Sequence, residues 1–325
     1  VRTMPLMRNT SLSISPRYGN TLLISAPMAA GGKGTITYVP PQNWMAFRDN
    51  DSQSFPVYSC CSNCPGPARC LSYPSYLTLT GAAVGDEFGY ADAAGDYNLD
   101  GSRDIVCGAP GADRNGFVDN GIVYIIFGRP DFGEIDLGVQ NPPRMEIRGA
   151  NTGDRFGEMQ TIVGDINQDG LPDIGLASKR ASGPGGTESG FVGVIFGGRK
   201  ATGENTFTVN QIATSQLPGV KFYGSQVGGH AGAVLGNGGD VNGDGIDDML
   251  ICAPNETRSA GGQVRRGVAY VVFGGPHLSN MTFSLNQVGT SALPGMIIIS
   301  PYADGIADTA PVDWVGPAGD VNADG

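Results

Sequence analysis

The chain has 325 residues, 52 of them glycine, only 16% charged residues and a formal net charge of −11. Abundant glycine and sparse charge favour many short strands and tight turns over helices, and the negative balance argues against nucleic acid or an anionic membrane surface as partner. No apolar run reaches the about 18 residues that a membrane-crossing helix needs, and length alone allows either two domains or one large all-β domain.

In chain order, TLLISAP (21–27), GTITYV (34–39) and SYLTLTG (75–81) read as strands. They are short, rich in β-branched residues and bounded by Gly, Pro or Ser. Residues 40–74 interrupt them as an insertion that carries Cys60, Cys61, Cys64 and Cys70 in SCCSNCPGPARC. Adjacent cysteines with no nearby histidine and no second C-x2-C pair point to two local disulfides rather than zinc, and so to an oxidising compartment. Cys107 and Cys252 stand singly in predicted strands and read as buried free thiols.

From residue 96 onward one nine-residue phrase recurs: Asp96 to Asp104 (DYNLDGSRD), Asp165 to Asp173 (DINQDGLPD) and Asp240 to Asp248 (DVNGDGIDD). A fourth begins at Asp320 (DVNADG), so the sequence is expected to continue beyond Gly325 and the lack of a signal peptide carries no weight. Oxygen side chains at positions 1, 3, 5 and 9 around a glycine at position 6 suit a hard cation, and calcium takes 6 to 8 oxygens at flexible geometry. Position 12, where an EF-hand loop needs an acid, is Cys107, Leu176 or Ile251. These loops are therefore expected to close at position 9 and to join two strands. The expected ligands are Asp96, Asn98, Asp100 and Asp104; Asp165, Asn167, Asp169 and Asp173; and Asp240, Asn242, Asp244 and Asp248. Ser102, Leu171 and Ile246 would add backbone carbonyls, and Asp320, Asn322 and Asp324 would open a further site. Tyr18-Gly19-Asn20 stands where the first unit would need carboxylates, so no cation is expected there.

The loop starts are 69, 75 and 80 residues apart, and each unit repeats the same parts. A glycine-rich approach strand precedes the Asp loop. An apolar strand follows and is expected to end in a GAP-like turn at Gly108-Ala109-Pro110, Ala177-Ser178-Lys179 and Cys252-Ala253-Pro254. Then come GIVYIIFG (121–128), GFVGVIFG (190–197) and GVAYVVFG (267–274), whose Phe127, Phe196 and Phe273 read as packing residues, and a fourth strand in MEIRG, VKFYG and MIIIS. The connectors TFTVNQIATSQLPG (206–219) and TFSLNQVGTSALPG (282–295) align without a gap. Four strands repeated at a near-constant period predict an all-β chain folded as a β-propeller of four-stranded antiparallel blades. The expected blades are about 1–81, 82–149, 150–224 and 225–300, with the start of a fifth at 301–325.

These units resemble FG-GAP repeats, the building block of the integrin α-subunit N-terminal propeller, which are also found in the non-catalytic part of some phospholipases. The FG element is clear in GDEFG (85–89) and GDRFG (153–157), and Gly229-His230-Ala231-Gly232 takes its place in the next unit. The resemblance implies a seven-bladed ring, calcium in the Asp loops, and an extracellular or cell-surface adhesion module that recognises protein or glycan. A building block of an extracellular assembly, through self-assembly, is the alternative; an accessory domain of an enzyme is a lower one. No G-x-S-x-G, H-E-x-x-H or Walker motif is present, so no catalysis is expected in the chain. His230 and His277 fall at turns. The sequons at Asn9, Asn255 and Asn280 are glycosylation candidates, the last two expected in connectors.

Overall fold

The computed structural model describes residues 11–15, 21–26, 32–39, 77–128, 134–198 and 205–300. The cysteine cluster, Asn9, Tyr18 to Asn20 and the Asp320 loop lie outside them.

The strands in chain order are β1 (Ser11–Ser15), β2 (Thr21–Ala26), β3 (Thr35–Val39), β4 (Leu77–Thr80), β5 (Tyr90–Gly95), β6 (Asp104–Ala109), β7 (Ile122–Ile126), β8 (Glu134–Asp136) and β9 (Arg144–Arg148). They continue with β10 (Met159–Gly164), β11 (Asp173–Ser178), β12 (Phe191–Ile195), β13 (Thr206–Thr208) and β14 (Gly219–Tyr223). The last are β15 (Val234–Gly239), β16 (Asp248–Ala260), β17 (Gln263–Val272), β18 (Thr282–Ser284) and β19 (Gly295–Ile299). Four antiparallel sheets result, β1-β2-β3-β4, β5-β6-β7-β9, β10-β11-β12-β14 and β15-β16-β17-β19. Their first strands lie next to one another in sequence order, β1 by β5, β5 by β10 and β10 by β15. These are propeller blades.

The core sits between blades rather than inside one. Val106, Val123, Ile125 and Ile147 of the second blade pack on Phe156, Leu176 and Phe191 of the third. Val192, Val194 and Phe222 of the third pack on Leu235, Ile251 and Tyr270 of the fourth. A middle strand therefore meets a neighbouring blade on each face, which is why β6, β7, β11 and β12 are buried at every residue. The same fact explains their continuous apolar runs in place of alternation.

Three short strands extend the blades in a way the sequence did not announce. β8, β13 and β18 pair in parallel with β4, β9 and β14, so each repeat lends a strand to the blade before it. The duplicated connector residues serve this clasp. Phe283 stacks on Phe222 at 5.9 Å, and the Gln211 and Gln287 side chains accept from the Thr208 and Ser284 N–H at 2.8 and 2.9 Å. Thr214 and Thr290 hydroxyls donate to the Gln211 and Gln287 carbonyls, and Pro218 and Pro294 carbonyls accept from the Phe196 and Phe273 N–H. Removing one such bond with Gln287→Ala is expected to cost about 1 kcal/mol, read from urea unfolding.

The FG element is a backbone tie across blades. Phe88, Phe156 and Ala231 N–H donate to the Lys33, Asn120 and Ser189 carbonyls of the preceding blade. The glycines that follow, Gly89, Gly157 and Gly232, donate to Gly108, Ala177 and Cys252 in their own blade. Ala231-Gly232 thus makes the same bonds as the two Phe-Gly pairs, and Phe88, Phe156 and Ala231 are all buried. The bonds belong to the backbone, which is how an alanine can hold the phenylalanine position.

Two expectations need correcting. Cys252-Ala253-Pro254 does not end its strand: β16 runs on to Ala260 through a bulge between Ala253 and Thr257, and with β17 forms a long hairpin that turns at Gly261-Gly262. Proline is tolerated in a strand at such a bulge. Asn255 consequently lies within β16, half-buried, with its Nδ2 on His230 Nδ1 at 2.9 Å. Asn280 does fall in a connector and is exposed. Cys107 and Cys252 are buried, and Phe127 and Phe196 are buried while Phe273 is half-buried.

Candidate functional site

Each Asp phrase joins the first and second strands of its blade, from β5 to β6, β10 to β11 and β15 to β16. The three loops share one internal bonding scheme. The position 5 N–H donates to the position 1 carboxylate and to the position 3 amide oxygen, at 3.1 and 3.0 Å in the first loop. The distances are 3.0 and 2.9 Å in the second and 2.9 and 2.9 Å in the third. The glycine N–H at position 6 donates to the other position 1 oxygen at 3.0, 2.7 and 2.7 Å. The N–H of Ser102, Leu171 and Ile246 donates to Asp100, Asp169 and Asp244. Asn98, Asn167 and Asn242 also donate from Nδ2 to the position 5 carboxylates. The turn needs a left-handed glycine at position 6, where Gly101, Gly170 and Gly245 have φ of 86°, 87° and 87°.

Position 9 behaves differently. Asp104, Asp173 and Asp248 are fully buried, and each bonds two backbone N–H groups. One is at position 2, from Tyr97, Ile166 and Val241 at 2.9, 3.0 and 2.7 Å. The other belongs to the glycine after the third-strand phenylalanine, from Gly128, Gly197 and Gly274 at 2.8, 2.9 and 2.9 Å. This carboxylate locks the loop to the end of the third strand of its own blade. Nothing in the local phrase signals that role; the recurrence of Phe-Gly at the end of each third strand was the available clue. Burial pushes Asp104 up to about 6, with Asp100 adding to the rise, and Asp173 up to about 8, with Asp169 and Asp165 adding. Asp248 is raised likewise by burial and by Asp244.

The expected ligands at positions 1, 3, 5 and 9 thus comprise an outward group, led by the exposed position 5 carboxylates, and a buried ninth carboxylate near enough to Asp100, or to Asp169 and Asp165, to feel their charge. Among the described residues, no three carboxylate, histidine or cysteine side chains converge as a metal cluster. The chemistry of the outward group still fits a hard cation. Asp100, Asp169, Asp240 and Asp244 are exposed, and a carboxylate oxygen that accepts one N–H keeps a second acceptor direction. The second loop also meets a carboxylate that the sequence reading missed. Asp247, from position 8 of the third loop, accepts the Asp165 N–H at 3.1 Å, close to Gly164, where a Cβ would clash with it.

Neighbouring blades touch the loops too. Gly198 and Gly275 donate to the Tyr97 and Ile166 carbonyls at 2.9 and 2.7 Å, so the first two loops are each seated by the Phe-Gly-Gly segment of the next repeat. His277 beside Gly275 is lowered by burial, with Asp244 opposing. His230 is held between Glu188 and Asn255.

Repeated blades, the Phe-Gly tie and the Asp loop together define an FG-GAP repeat protein with a β-propeller fold. The model of that family, "FG-GAP repeat", matches residues 88–126 and 231–272, which run in each case from the tie into the third strand. The chain is similar to Integrin alpha-PS3 of Drosophila melanogaster, 32% identical over 188 residues that make up 58% of this chain and 15% of that one. It is also similar to Integrin alpha-6 of Gallus gallus, 37% identical over 153 residues, 46% of this chain and 12% of that one. A third relative, Phosphatidylinositol-glycan-specific phospholipase D of Homo sapiens, is 30% identical over 194 residues, 59% of this chain and 21% of that one. The chain thus spans under a quarter of the length of these relatives. No helix among the described residues is long and apolar enough to cross a membrane.

Proposed function

We propose that the chain is an extracellular or cell-surface β-propeller module for adhesion or for recognition of a protein or glycan, with calcium in its Asp loops as a structural ion. The observation that carries this reading is the threefold identity of the loops. One bonding scheme recurs at three corresponding corners and leaves carboxylate oxygens facing solvent. A tight turn needs one Asn or Asp to bond its own backbone; it does not need carboxylates at positions 1 and 5 together. Bound calcium would offset their repulsion and stiffen the corner against which the next repeat seats. The similarity to two integrin α chains supports an adhesive role outside the cell. A binding role rather than a catalytic one agrees with His230 being tied in side-chain bonds.

Isothermal calorimetry with calcium chloride is expected to find three sites in the described loops, in the range of about 0.1–1 mM typical of extracellular modules. Asp100→Ala, Asp169→Ala and Asp244→Ala should each delete one. The melting temperature should rise on adding calcium and fall back with EDTA. No heat of binding together with an EDTA-insensitive melt would overturn the calcium reading.

A further inference from the structure

The third blade departs from its neighbours at the turn where the Gly-Ala-Pro element is lost. Ala109, Ser178 and Ala253 pair with Ile122, Phe191 and Val268, so Lys179-Arg180 stands where the second and fourth blades have Pro110-Gly111 and Pro254-Asn255. Counted from the Phe-Gly tie, Glu158 holds the place of Tyr90 and Ala233. These departures meet in space. Arg155 Nε, Lys179 Nζ and Arg180 Nε lie 2.9, 3.3 and 3.4 Å from the Glu158 carboxylate, and Arg155 also pairs with Glu87.

The Glu158 side chain is 7% exposed, whereas those of Lys179 and Arg180 are 34 and 47% exposed. A buried carboxylate thus gathers three cations and leaves two of them facing solvent. Among the described residues neither Lys179 nor Arg180 donates a hydrogen bond, and Glu158 Oε2 is buried without a hydrogen-bond partner. With Glu87 counted, three cations stand against two carboxylates. The net charge of −11 does not cancel this surplus. Met159 pairs with Ala177 beside the cluster, while Gly164 pairs with Asp173 at the Asp loop. The intervening strand, at about 3.3 Å per residue, puts about 20 Å between them. That is over twice the Debye length of about 8 Å at physiological salt, so the cations decide what approaches here.

We propose that Lys179 and Arg180, held over Glu158 beside Arg155, form a binding site for a sulfo group of a sulfated glycan. A sulfo group carries a fixed negative charge on three terminal oxygens. It can satisfy the donors that the two oxygens of Glu158 leave unused. The planar fork of Arg180 suits two of those oxygens, and Lys179 bonds an oxyanion as a point charge. The inference names a ligand for the glycan side of the recognition reading, on which it rests, and does not depend on calcium in the Asp loops.

The test titrates the 325-residue chain with a heparin-derived oligosaccharide at fixed calcium. Binding is expected, and raising NaCl from about 50 to 200 mM should weaken it about tenfold as counterions are released. Lys179→Ala and Arg180→Ala, both at solvent-facing side chains, should each weaken it about three- to fivefold, while Lys221→Ala on another part of the blade should not. Melting curves confirm that the variants are folded. Absence of binding by the folded chain would overturn the proposal and leave the calcium titration to judge the module reading separately. An equal loss with Lys221→Ala would overturn it as well. So would equal binding of the desulfated oligosaccharide, of a poly-glutamate peptide or of an oligonucleotide, since charge alone would then be recognised.

Discussion

Gly190→Ala is expected to be among the most destabilising single-methyl changes in this molecule, at about 3 kcal/mol or more. Gly190 precedes β12 with φ of 94°, and its carbonyl accepts from Gly224 N–H while Ser189 beside it accepts from Ala231 N–H across the blade seam. A Cβ there would sit 2.1 Å from the Ala231 carbonyl oxygen and 2.4 Å from its nitrogen. Both obstacles are backbone, so no rotamer change relieves them. The blades must part instead, and the apolar contacts between the third and fourth sheets part with them. Gly121 occupies the same place one seam earlier, with φ of 80° and Phe156 backbone at 2.2 and 2.5 Å, so Gly121→Ala should behave alike. Gly116 separates strain from steric conflict. Its φ is 83°, yet nothing lies within 4 Å of its would-be Cβ. Gly116→Ala should cost only about 1 kcal/mol. Thermal melts of the three variants decide the point: a drop of roughly 5–10 °C is expected for the seam glycines and a much smaller one for Gly116. Equal drops would mean that the positive φ, not the seam, sets the cost.

That seam marks the boundary of what the sequence made legible. Strand positions could be read because a middle strand buried on both faces must be apolar throughout, as in Ile122–Ile126 and Phe191–Ile195, and because the turns between them carry glycine. The Asp loops could be read because the oxygen spacing recurs. The clasp strands could not: Glu134–Asp136 and its two counterparts are three residues long, too short for any periodicity, and their partner lies in another repeat. Duplication of the connector was visible, but its reason was a bond across blades. The Cys-Ala-Pro segment misled for a related cause. It matches the turn found at Gly-Ala-Pro, whereas the pairing partners that extend β16, Arg266 to Gln263, are supplied by β17 beyond the repeat's usual length. At the loops, the phrase showed four oxygens in one spacing, and only the fold shows that the ninth residue also ties its loop to the end of the third strand.

This division of labour within the Asp phrase gives the second large effect. Asp173→Ala is expected to destabilise the protein by about 3–5 kcal/mol whether or not calcium is present. The carboxylate is fully buried and bonds the Ile166 and Gly197 N–H groups, so the alanine leaves two donors without an acceptor, one of them deep in the core, together with a cavity. Its ionisation state does not alter the direction, because either form supplies acceptors that the methyl cannot. Asp169→Ala, four residues earlier on the exposed rim, removes acceptors whose donors can turn to water. It should leave the melting temperature in EDTA almost unchanged and lower it only in calcium. The pair therefore separates the two jobs that the sequence had merged: position 5 acts through the ion and position 9 through the fold. If Asp173→Ala lost stability only in the presence of calcium, the ninth carboxylate would act as a ligand after all, and the buried bonds to Ile166 and Gly197 would count for little.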